Sequence, residues 1–304
     1  MTIYETSSGV ARPGSGERCA APTRFQLASV SKQFTAAAVL LLAERGLVSV
    51  DDPITRWFAD TPSEWRGITI HQLMTHTSGL CHWHQLEDFD LCGTMEPDEE
   101  IARFQRQPLL FAPGSSWHYS SPAFVLLAHV VQRAGDEPYG DFLGRELFAK
   151  AGLADTFVGD AHGRERTAEP TASGEPVRSF SLDVIGMGAG DVWSTTADLA
   201  RWTAEIAAGH VLGAQSTKMM YTPHASVAAA QIEQLLTGDF YGYGVYLGAI
   251  GGRALCYHPG DNSGFTALAA YVPDDGLTAV VLSNDESTDV GRVALDSLGA
   301  AGVL

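Results

Sequence analysis

The strongest constraint on the fold is a segment near the start of the chain that joins a serine–lysine pair to an almost wholly apolar helix. The segment begins at Phe25. Its predicted helix runs from Ser29, in the position of an N-cap, to Gly46, in the position of a glycine that follows a helix. A helix that is apolar on nearly every side is typical of a protein interior. We therefore expect the rest of the chain to pack around this helix.

Length, charge and cysteine content exclude several classes of protein. The chain has 304 residues, which fits one large domain or two interlocked subdomains, and a formal net charge of -17, which would repel a nucleic-acid backbone. The first residues form no secretory signal, and no run of about 18 apolar residues would cross a membrane. Four cysteines are too few for a disulfide framework. The sequence predicts a cytoplasmic protein that binds neither nucleic acid nor membranes.

The predicted elements change from helices in the middle of the chain to strands near its end, an arrangement typical of an α+β fold. Helices are predicted within residues 68–79, 121–134, 139–150, 195–208 and 290–298, and Gly135 is expected to end the second of these. Strands are predicted over residues 1–11, 241–249, 254–258, 266–272 and 277–282. We expect the first strand, which contains Ile3, to pair with the strands at the end of the chain.

Ser29 and Lys32 form an S-x-x-K pair at the start of the predicted helix. Residues three apart share a helix face, so the lysine amine can reach the serine hydroxyl. A serine is a weak nucleophile until a neighbour takes its proton, and a buried lysine with a lowered pKa can be that neighbour. Backbone N–H groups at the helix start can stabilise an oxyanion. The spacing by itself is common, so it predicts catalysis only together with its surroundings.

The surrounding residues carry a resemblance to a known family. After the first segment, the chain contains ITIHQLMTHTSGL from Ile68, FAPGS followed by YSS from Tyr119, GDVWSTTADLARW from Gly190, and HPG from His258. Over about residues 7–298, these stretches and their order resemble the serine β-lactamase and penicillin-binding-protein-like superfamily, in its class C, esterase and D-peptidase branch.

The resemblance implies a β-lactamase-like α+β fold. In that fold, helices flank an antiparallel sheet, a second subdomain is mainly helical, and the active site lies between them. One catalytic domain would span residues 1–304, with the α/β subdomain formed by about 1–28 and 240–304 and the helical subdomain by about 29–239.

The resemblance also implies roles for residues on the helical side. Ser29 would be the nucleophile, and Lys32 and Tyr119 would take and return its proton. We expect the Lys32 cation to favour the Tyr119 phenolate. A structural alternative for Tyr119 is a core tyrosine with a bonded hydroxyl. For Ser121 two interpretations stay open, a cap on the helix that follows or a contact with Lys32 and the substrate.

The third motif supplies the remaining site residues. The family places the residue equivalent to His258 at a strand edge that faces the cleft, although a strand histidine bonded to the backbone is the alternative. Gly260 would let the substrate approach the backbone closely. The backbone N–H of Asp261, together with that of Ser29, would form the oxyanion hole.

Three departures from the family argue against a dedicated β-lactamase. His258 stands where β-lactamases carry a lysine that helps to bind the substrate carboxylate. The helix and strand that usually precede residues 1–11 are not seen, which leaves two alternatives: the true start lies upstream, or the sheet lacks an edge strand and a homodimer could cover that edge. No secretion signal is visible, whereas β-lactamases and cell-wall peptidases work outside the cytoplasm.

Other chemistry-bearing residues receive structural interpretations. Four residues form a loose group with weak resemblance to a zinc site, and we predict no metal there. These residues are Cys81, His82, His84 and Cys92. Cys256 is interpreted as a buried cysteine, and the resemblance suggests a structural role for His76.

The sequence therefore predicts a serine acyl-enzyme hydrolase or acyltransferase that acts on an ester or amide of a small metabolite, most closely a carboxylesterase or transacylase. No cofactor is expected, because serine, lysine and tyrosine supply every group. The alternatives are a D-stereospecific peptidase or amidase, a weak β-lactamase, and a non-enzymatic sensor that stays acylated. Specificity is expected in residues 81–110, 159–180 and 222–240, where Trp83, Phe89 and Phe180 would make the cleft apolar.

Overall fold

The computed structural model describes residues 4–227 and 238–303. Its helices are α1 (Lys32–Glu44), α2 (Ile70–Met74), α3 (Pro97–Gln105), α4 (Ser121–Gly135), α5 (Tyr139–Leu143), α6 (Ala149–Ala151), α7 (Thr196–Ala207), α8 (Ala214–Met220) and α9 (Val290–Ala300). Its strands are β1 (Val10–Arg12), β2 (Glu17–Arg18), β3 (Phe25–Gln26), β4 (Phe157–Val158), β5 (Thr171–Ala172), β6 (Glu175–Pro176), β7 (Val192–Ser194), β8 (Ala225–Ser226), β9 (Gly238–Tyr241), β10 (Tyr246–Ile250), β11 (Arg253–Asn262), β12 (Phe265–Val272) and β13 (Leu277–Ser283). The mixture of helices and antiparallel strands confirms the α+β class. In the described residues, no helix is long and apolar enough to span a membrane.

A six-stranded antiparallel sheet near the end of the chain forms one side of the molecule. Its strand order is β13-β12-β11-β10-β9-β8. The strands predicted at 254–258, 266–272 and 277–282 are confirmed, but the one predicted at 241–249 is divided into β9 and β10. Gly244, between them, has a φ of +72°, and a Cβ there would lie 2.7 Å from the Lys32 carbonyl oxygen. The strand is divided because this turn packs against the start of α1.

The predicted pairing of residues 1–11 with this sheet is wrong for the described residues. Within that stretch the strand begins only at Val10, and β1 pairs with β2 instead. Gly16 has a φ of +71° in the connecting turn, and Arg12 donates a hydrogen bond to the carbonyl oxygen of Thr167. Two short strands so close in sequence pair locally because their loop closes at little entropic cost. Ile3 lies outside the described residues.

Helix α1 is the buried core helix that the sequence predicts. Every residue from its start to Leu42 is buried. The Trp202 ring of α7 stacks on Phe34 with ring centroids 4.2 Å apart, and Gly46 follows the helix with a φ of +71°. Burial on all sides fixes the start of α1 in space, and Lys32 lies at that start.

Two predicted helix ends are wrong in detail. Ser29 does not cap α1, because it lies inside a 3-10 turn before the helix and its hydroxyl faces Lys32. Gly135 does not stop α4 but is its last residue, and Asp136 takes the left-handed conformation with a φ of +55°. A Cβ at Gly135 would lie 2.9 Å from the Phe142 ring, so this glycine allows α5 to pack closely.

A small three-stranded sheet, in the order β3-β7-β4, carries the chain to Ser29. Gln26 of β3 pairs with Trp193 of β7, and the Leu27 N–H donates a 2.8 Å hydrogen bond to the Val192 carbonyl oxygen. The 3-10 turn begins directly after this bond. The backbone of the turn is therefore held on one side by β7 and on the other by α1.

Candidate active site

Ser29 lies in a tight turn whose backbone is unusual. The preceding residue, Ala28, has a φ of +46°, a value that residues with a side chain rarely adopt. The Ser31 hydroxyl accepts a 3.0 Å hydrogen bond from the Val192 N–H, which ties the turn to β7. The turn presents the half-buried Ser29 hydroxyl toward Lys32.

Lys32 is fully buried, and its amine is surrounded by oxygen atoms. Its Nζ lies 2.9 Å from Ser29 Oγ, 3.2 Å from Ser121 Oγ and 2.8 Å from the Ala189 carbonyl oxygen. Burial lowers the pKa of Lys32 well below its ordinary value, and the charge of Asp191 only partly opposes this effect. A lowered pKa favours the neutral amine, which is the form that can accept a proton from the serine.

Tyr119 packs beside the lysine, which lies 5.0 Å above the centre of its ring. Its hydroxyl oxygen is buried and has no hydrogen-bond partner of normal geometry among the described residues. Burial raises the pKa of Tyr119, and the Ser29 side chain acts weakly in the opposite direction. The expected phenolate is therefore wrong for the resting site. The same burial that disfavours the lysine cation also disfavours the tyrosine anion.

The two open interpretations of Ser121 are separated by the structure. Ser120, not Ser121, caps α4 by accepting a hydrogen bond from the Ala123 N–H. Ser121 is the first residue of the helix, and its hydroxyl lies beside Lys32. Its backbone N–H also donates to Nδ1 of His82 over 3.4 Å.

His258 uses both of its ring nitrogens within the protein. Nδ1 lies 2.6 Å from the Pro259 carbonyl oxygen, which only accepts, so Nδ1 carries the hydrogen. Nε2 then accepts a 2.9 Å hydrogen bond from the Tyr241 hydroxyl. Burial, aided by the charge of Lys32, lowers the pKa of His258 to about 3. The ring is therefore neutral at pH 7 and has no free nitrogen for a ligand.

The strand edge that begins at His258 faces the serine turn. β10 pairs with β11 only as far as Tyr257, so the following residues have the serine turn as their neighbour on that side. A Cβ on Gly260 would lie 2.2 Å from the Leu27 carbonyl oxygen. The close approach at this glycine is therefore made by the chain itself, and the approach of a substrate stays a prediction. The packing of the chain here places the backbone of Asp261 next to the turn.

Asp191 belongs to the same site and received no role from the sequence. Its side chain is fully buried, and neither carboxylate oxygen has a hydrogen-bond partner of normal geometry among the described residues. Burial raises the pKa of Asp191 to about 7. The available signal was a single carboxylate directly before the apolar Val192 and Trp193, inside the GDVWST stretch.

His76 and His82 line the site from a third direction. The His76 ring lies 4.3 Å from that of Tyr119, and its Nδ1 accepts a hydrogen bond from the Ser120 N–H. The His82 ring meets Tyr119 edge-on at 5.5 Å. Burial lowers the pKa of His76 well below its ordinary value and that of His82 to about 2, so both rings are neutral at pH 7. Both histidines pack and orient the tyrosine segment.

The loose cysteine and histidine group does not form a ligand set. In residues 4–227 and 238–303, no three histidine, cysteine or acidic side chains come together in a way that would hold a metal ion. Cys81 and Cys92 are free thiols, and the Cys92 sulfur faces the Arg178 carbonyl oxygen.

A cavity of about 800 Å³ is lined by Gln26 of β3 but by none of the residues of the serine turn. Residues 160–163, 167–170 and 178–183 form much of the remaining lining. Gln26 Oε1 accepts hydrogen bonds from Asn262 Nδ2 at 2.8 Å and Ser179 Oγ at 3.2 Å. Of the three aromatic residues expected in the cleft, Phe180 lines this cavity and contacts Trp83, while Phe89 packs on Phe104. Within the segment 222–240, residues 228–237 lie outside the described part.

The fold and the Ser29–Lys32–Tyr119 arrangement define the class of serine β-lactamase and penicillin-binding-protein-like proteins. A model of the family described as Beta-lactamase matches residues 2–303. The chain therefore belongs to the Beta-lactamase family.

Individual relatives agree with this assignment. Esterase EstB of Burkholderia gladioli is 36% identical over 196 residues, which are 57% of this chain and 48% of the esterase. Penicillin-binding protein 4* of Bacillus subtilis is 28% identical, with 93% of this chain and 66% of the relative covered. The chain thus spans between about half and two thirds of the length of these curated relatives. The crystal structure of a penicillin binding protein from Bacillus halodurans superposes with a TM-score of 0.84 at 26% identity, covering 97% of this chain and 91% of that one.

Proposed function

We propose that the protein is a serine acyl-enzyme hydrolase that acts on small, uncharged esters and less readily on amides. The observation that carries this proposal is the buried Lys32 amine, held 2.9 Å from the Ser29 hydroxyl at the start of α1. A nucleophile beside a base with a lowered pKa is the arrangement that acyl transfer through serine needs.

In the proposed acylation step, the Ser29 oxygen attacks the substrate carbonyl carbon and its proton moves to Nζ of Lys32. The carbonyl oxygen becomes an oxyanion, and the backbone N–H groups of Ser29 and Asp261 donate to it. Such preorganised donors cost no reorganisation when charge develops. The short approach between Gly260 and Leu27 supports this pairing, because it holds β11 against the serine turn.

The leaving group departs with a proton from Tyr119. Since burial raises the pKa of this tyrosine, its hydroxyl is protonated and acts as a donor, and the Lys32 ammonium restores the proton afterwards. The bond from the carbonyl carbon to the leaving oxygen or nitrogen breaks, and the acyl–Ser29 ester remains. Water then attacks that ester with Lys32 and Tyr119 in the same roles, releasing the acid and the free serine.

His258 supports the choice of an uncharged substrate. The neutral ring has both nitrogens engaged, so this position offers no charge to a substrate carboxylate. β-Lactams and D-alanyl peptides carry such a carboxylate, whereas simple esters do not. The relation to an esterase points the same way. Transfer of the acyl group to a small alcohol or amine, in place of water, uses the same steps.

The proposal is tested with p-nitrophenyl acetate and butyrate. Ser29→Ala should lose at least about 10³-fold in kcat, because the nucleophile is removed. Ser63→Ala, which alters an exposed serine bonded to Glu64, is the matched control and should keep full activity. Equal rates for wild type and Ser29→Ala would show that Ser29 is not the nucleophile and would overturn the proposal.

Two further outcomes separate the alternatives. Release of one equivalent of nitrophenol followed by arrest, even with added alcohol acceptors, would indicate a sensor that stays acylated and would contradict a hydrolase. Faster turnover of D-amino acid amides or of a chromogenic cephalosporin than of the acetate would favour the amidase or β-lactamase alternative over an esterase.

A further inference from the structure

The buried carboxyl group of Asp191 is not used by the proposed chemistry, yet it lies behind the catalytic pair. It sits on the segment that follows Ala189, whose carbonyl oxygen accepts from Lys32, and it precedes Val192, whose N–H donates to Ser31. The segment before it is tightly packed, because a Cβ at Gly188 would lie 2.6 Å from the Ala128 Cβ. The position of Asp191 is therefore set by its packed neighbours, and the backbone N–H groups of Gly188 and Asp191 act on its carboxylate without compensating for its burial.

An ionised carboxylate in this position is costly to bury. The side chain is fully buried, and among the described residues no ion pair reaches it. A carboxyl group buried without a partner normally weakens a fold, and an asparagine of the same shape would avoid the cost. The cost of burying the Asp191 carboxylate has an explanation if this charge stabilises a cation that forms nearby during the reaction. Lys32, next to the same segment, becomes that cation when it takes the serine proton.

We propose that Asp191 is a positioning residue whose buried carboxylate stabilises the Lys32 ammonium formed as Ser29 gives up its proton. This inference rests on the function proposed above. The charge acts across the low-dielectric interior without a direct ion pair, because the two groups do not come within 4.0 Å in the described structure. It stabilises the state in which Lys32 has taken the proton more than the resting state, in which Ser29 and Lys32 are both neutral.

The other groups around the pair do not replace this charge. Facing Lys32 from the elements packed against it are Ser29, Tyr119, Ser121, His76, His82 and His258. The three histidines are neutral at pH 7, and the tyrosine and serines are neutral hydroxyls. Facing Asp191 are Lys32, the Tyr139 hydroxyl and the exposed Asp183. Asp191 thus supplies, among the described residues, a buried carboxyl group that faces the lysine.

The sharpest test follows the lysine itself. The chain has three lysines, and Lys150 and Lys218 are exposed. In protein labelled with ¹³C-lysine, the Lys32 side-chain signal can be assigned by its loss in Lys32→Met and titrated beside two reference lysines. In Asp191→Asn the Lys32 midpoint should fall by about one pH unit, since the carboxylate that favours the cation is gone. Asp60→Asn removes an equal charge from an exposed site away from Asp191 and should leave the midpoint in place.

Kinetics and melting provide readouts that a purely structural role would not produce. In Asp191→Asn, kcat for p-nitrophenyl acetate should fall roughly tenfold to hundredfold with KM nearly unchanged. The acid limb of kcat/KM should move to lower pH, and the Tm should rise by roughly 2–4 °C because a buried charge is removed. Asp60→Asn should change none of these.

The outcomes separate this inference from the proposed function. An unchanged Lys32 midpoint in Asp191→Asn overturns the role of Asp191, whatever the activity. A lower Tm with an unchanged pH profile also overturns it, because it shows a structural residue only. A shifted midpoint in a protein whose hydrolysis does not depend on Ser29 would support the coupling of the two groups and reject the proposed reaction.

Discussion

The two walls of the site differ in how far their contacts follow from local sequence. We call Ser29, Lys32, Tyr119 and Ser121 the helical wall, and His258, Gly260 and Asp261 the sheet wall. The central contact of the helical wall is the 2.9 Å hydrogen bond between Lys32 Nζ and Ser29 Oγ, which joins residues three apart in the sequence. The sheet wall depends on Tyr241 and Leu27, which lie on other elements. Helical spacing thus predicts the contact between Ser29 and Lys32 directly, whereas a strand motif does not indicate which residues it will contact.

The largest expected effect tests the helical wall. Lys32→Met removes the buried amine but keeps the length of the side chain, so kcat for p-nitrophenyl acetate should fall by at least about 10³-fold. The fold should remain, because an apolar side chain replaces a buried polar one. Lys218→Met, on an exposed position of α8, is the control and should keep its activity. If folded Lys32→Met kept most of its activity, the helical wall would not supply the base.

An intermediate effect tests the sheet wall. Gly260→Ala would place a Cβ 2.2 Å from the Leu27 carbonyl oxygen, so β11 must move away from the serine turn. We expect kcat to fall by roughly 10²-fold, because one oxyanion donor is displaced. Gly14→Ala, where no heavy atom lies within 4 Å of the added Cβ, should have no effect. Equal activity of the two variants would show that the sheet wall does not hold an oxyanion donor.

The smallest expected effect concerns the pH dependence of stability, and it is tested by comparing a histidine of the sheet with a histidine of a helix. The pKa values of His258 on β11 and His129 on α4 are lowered to about 3 and about 4. The native protein keeps both rings neutral, while the unfolded chain takes up protons below about pH 6.5. Each neutral ring therefore makes its full contribution to the free energy of unfolding above pH 6.5. As the pH falls toward the native pKa values, each contribution is lost by up to about 1.4 kcal/mol per pH unit.

His258→Gln and His129→Gln should each reduce the loss of stability between pH 6.5 and pH 4, measured by urea unfolding. Only His258→Gln should also lower kcat, by roughly tenfold, because the ring beside Tyr119 is replaced. A similar loss of activity in both variants would indicate a general effect on the fold rather than a role of the sheet wall.

The sequence could predict those parts of the fold that depend on local pattern. The burial of α1, the helix that contains Trp202 and three of the C-terminal strands all follow from apolar periodicity. The predicted strand at residues 1–11 and the serine cap are wrong, because pairing and capping depend on which partner is nearest in space. The division of the strand at Gly244 has the same origin, since the turn packs on Lys32.

The candidate site shows a similar limit. The motifs placed Ser29, Lys32 and Tyr119 together, but they indicated a phenolate where burial keeps the tyrosine neutral. They also gave no role to Asp191, because a carboxylate before an apolar strand has the same pattern whether it is solvated or buried. Protonation depends on desolvation by the whole surrounding protein, which no short motif contains.

The sequence by itself predicted the contact between Ser29 and Lys32 and the buried helix that follows, because residues three apart in a helical turn lie side by side. Only the tertiary structure decided which neighbours these groups meet. It brought the Leu27 carbonyl oxygen against Gly260, engaged both nitrogens of His258, and buried Asp191 behind Lys32. These contacts join distant segments, and their effect on charge arises from the low dielectric of a closed interior.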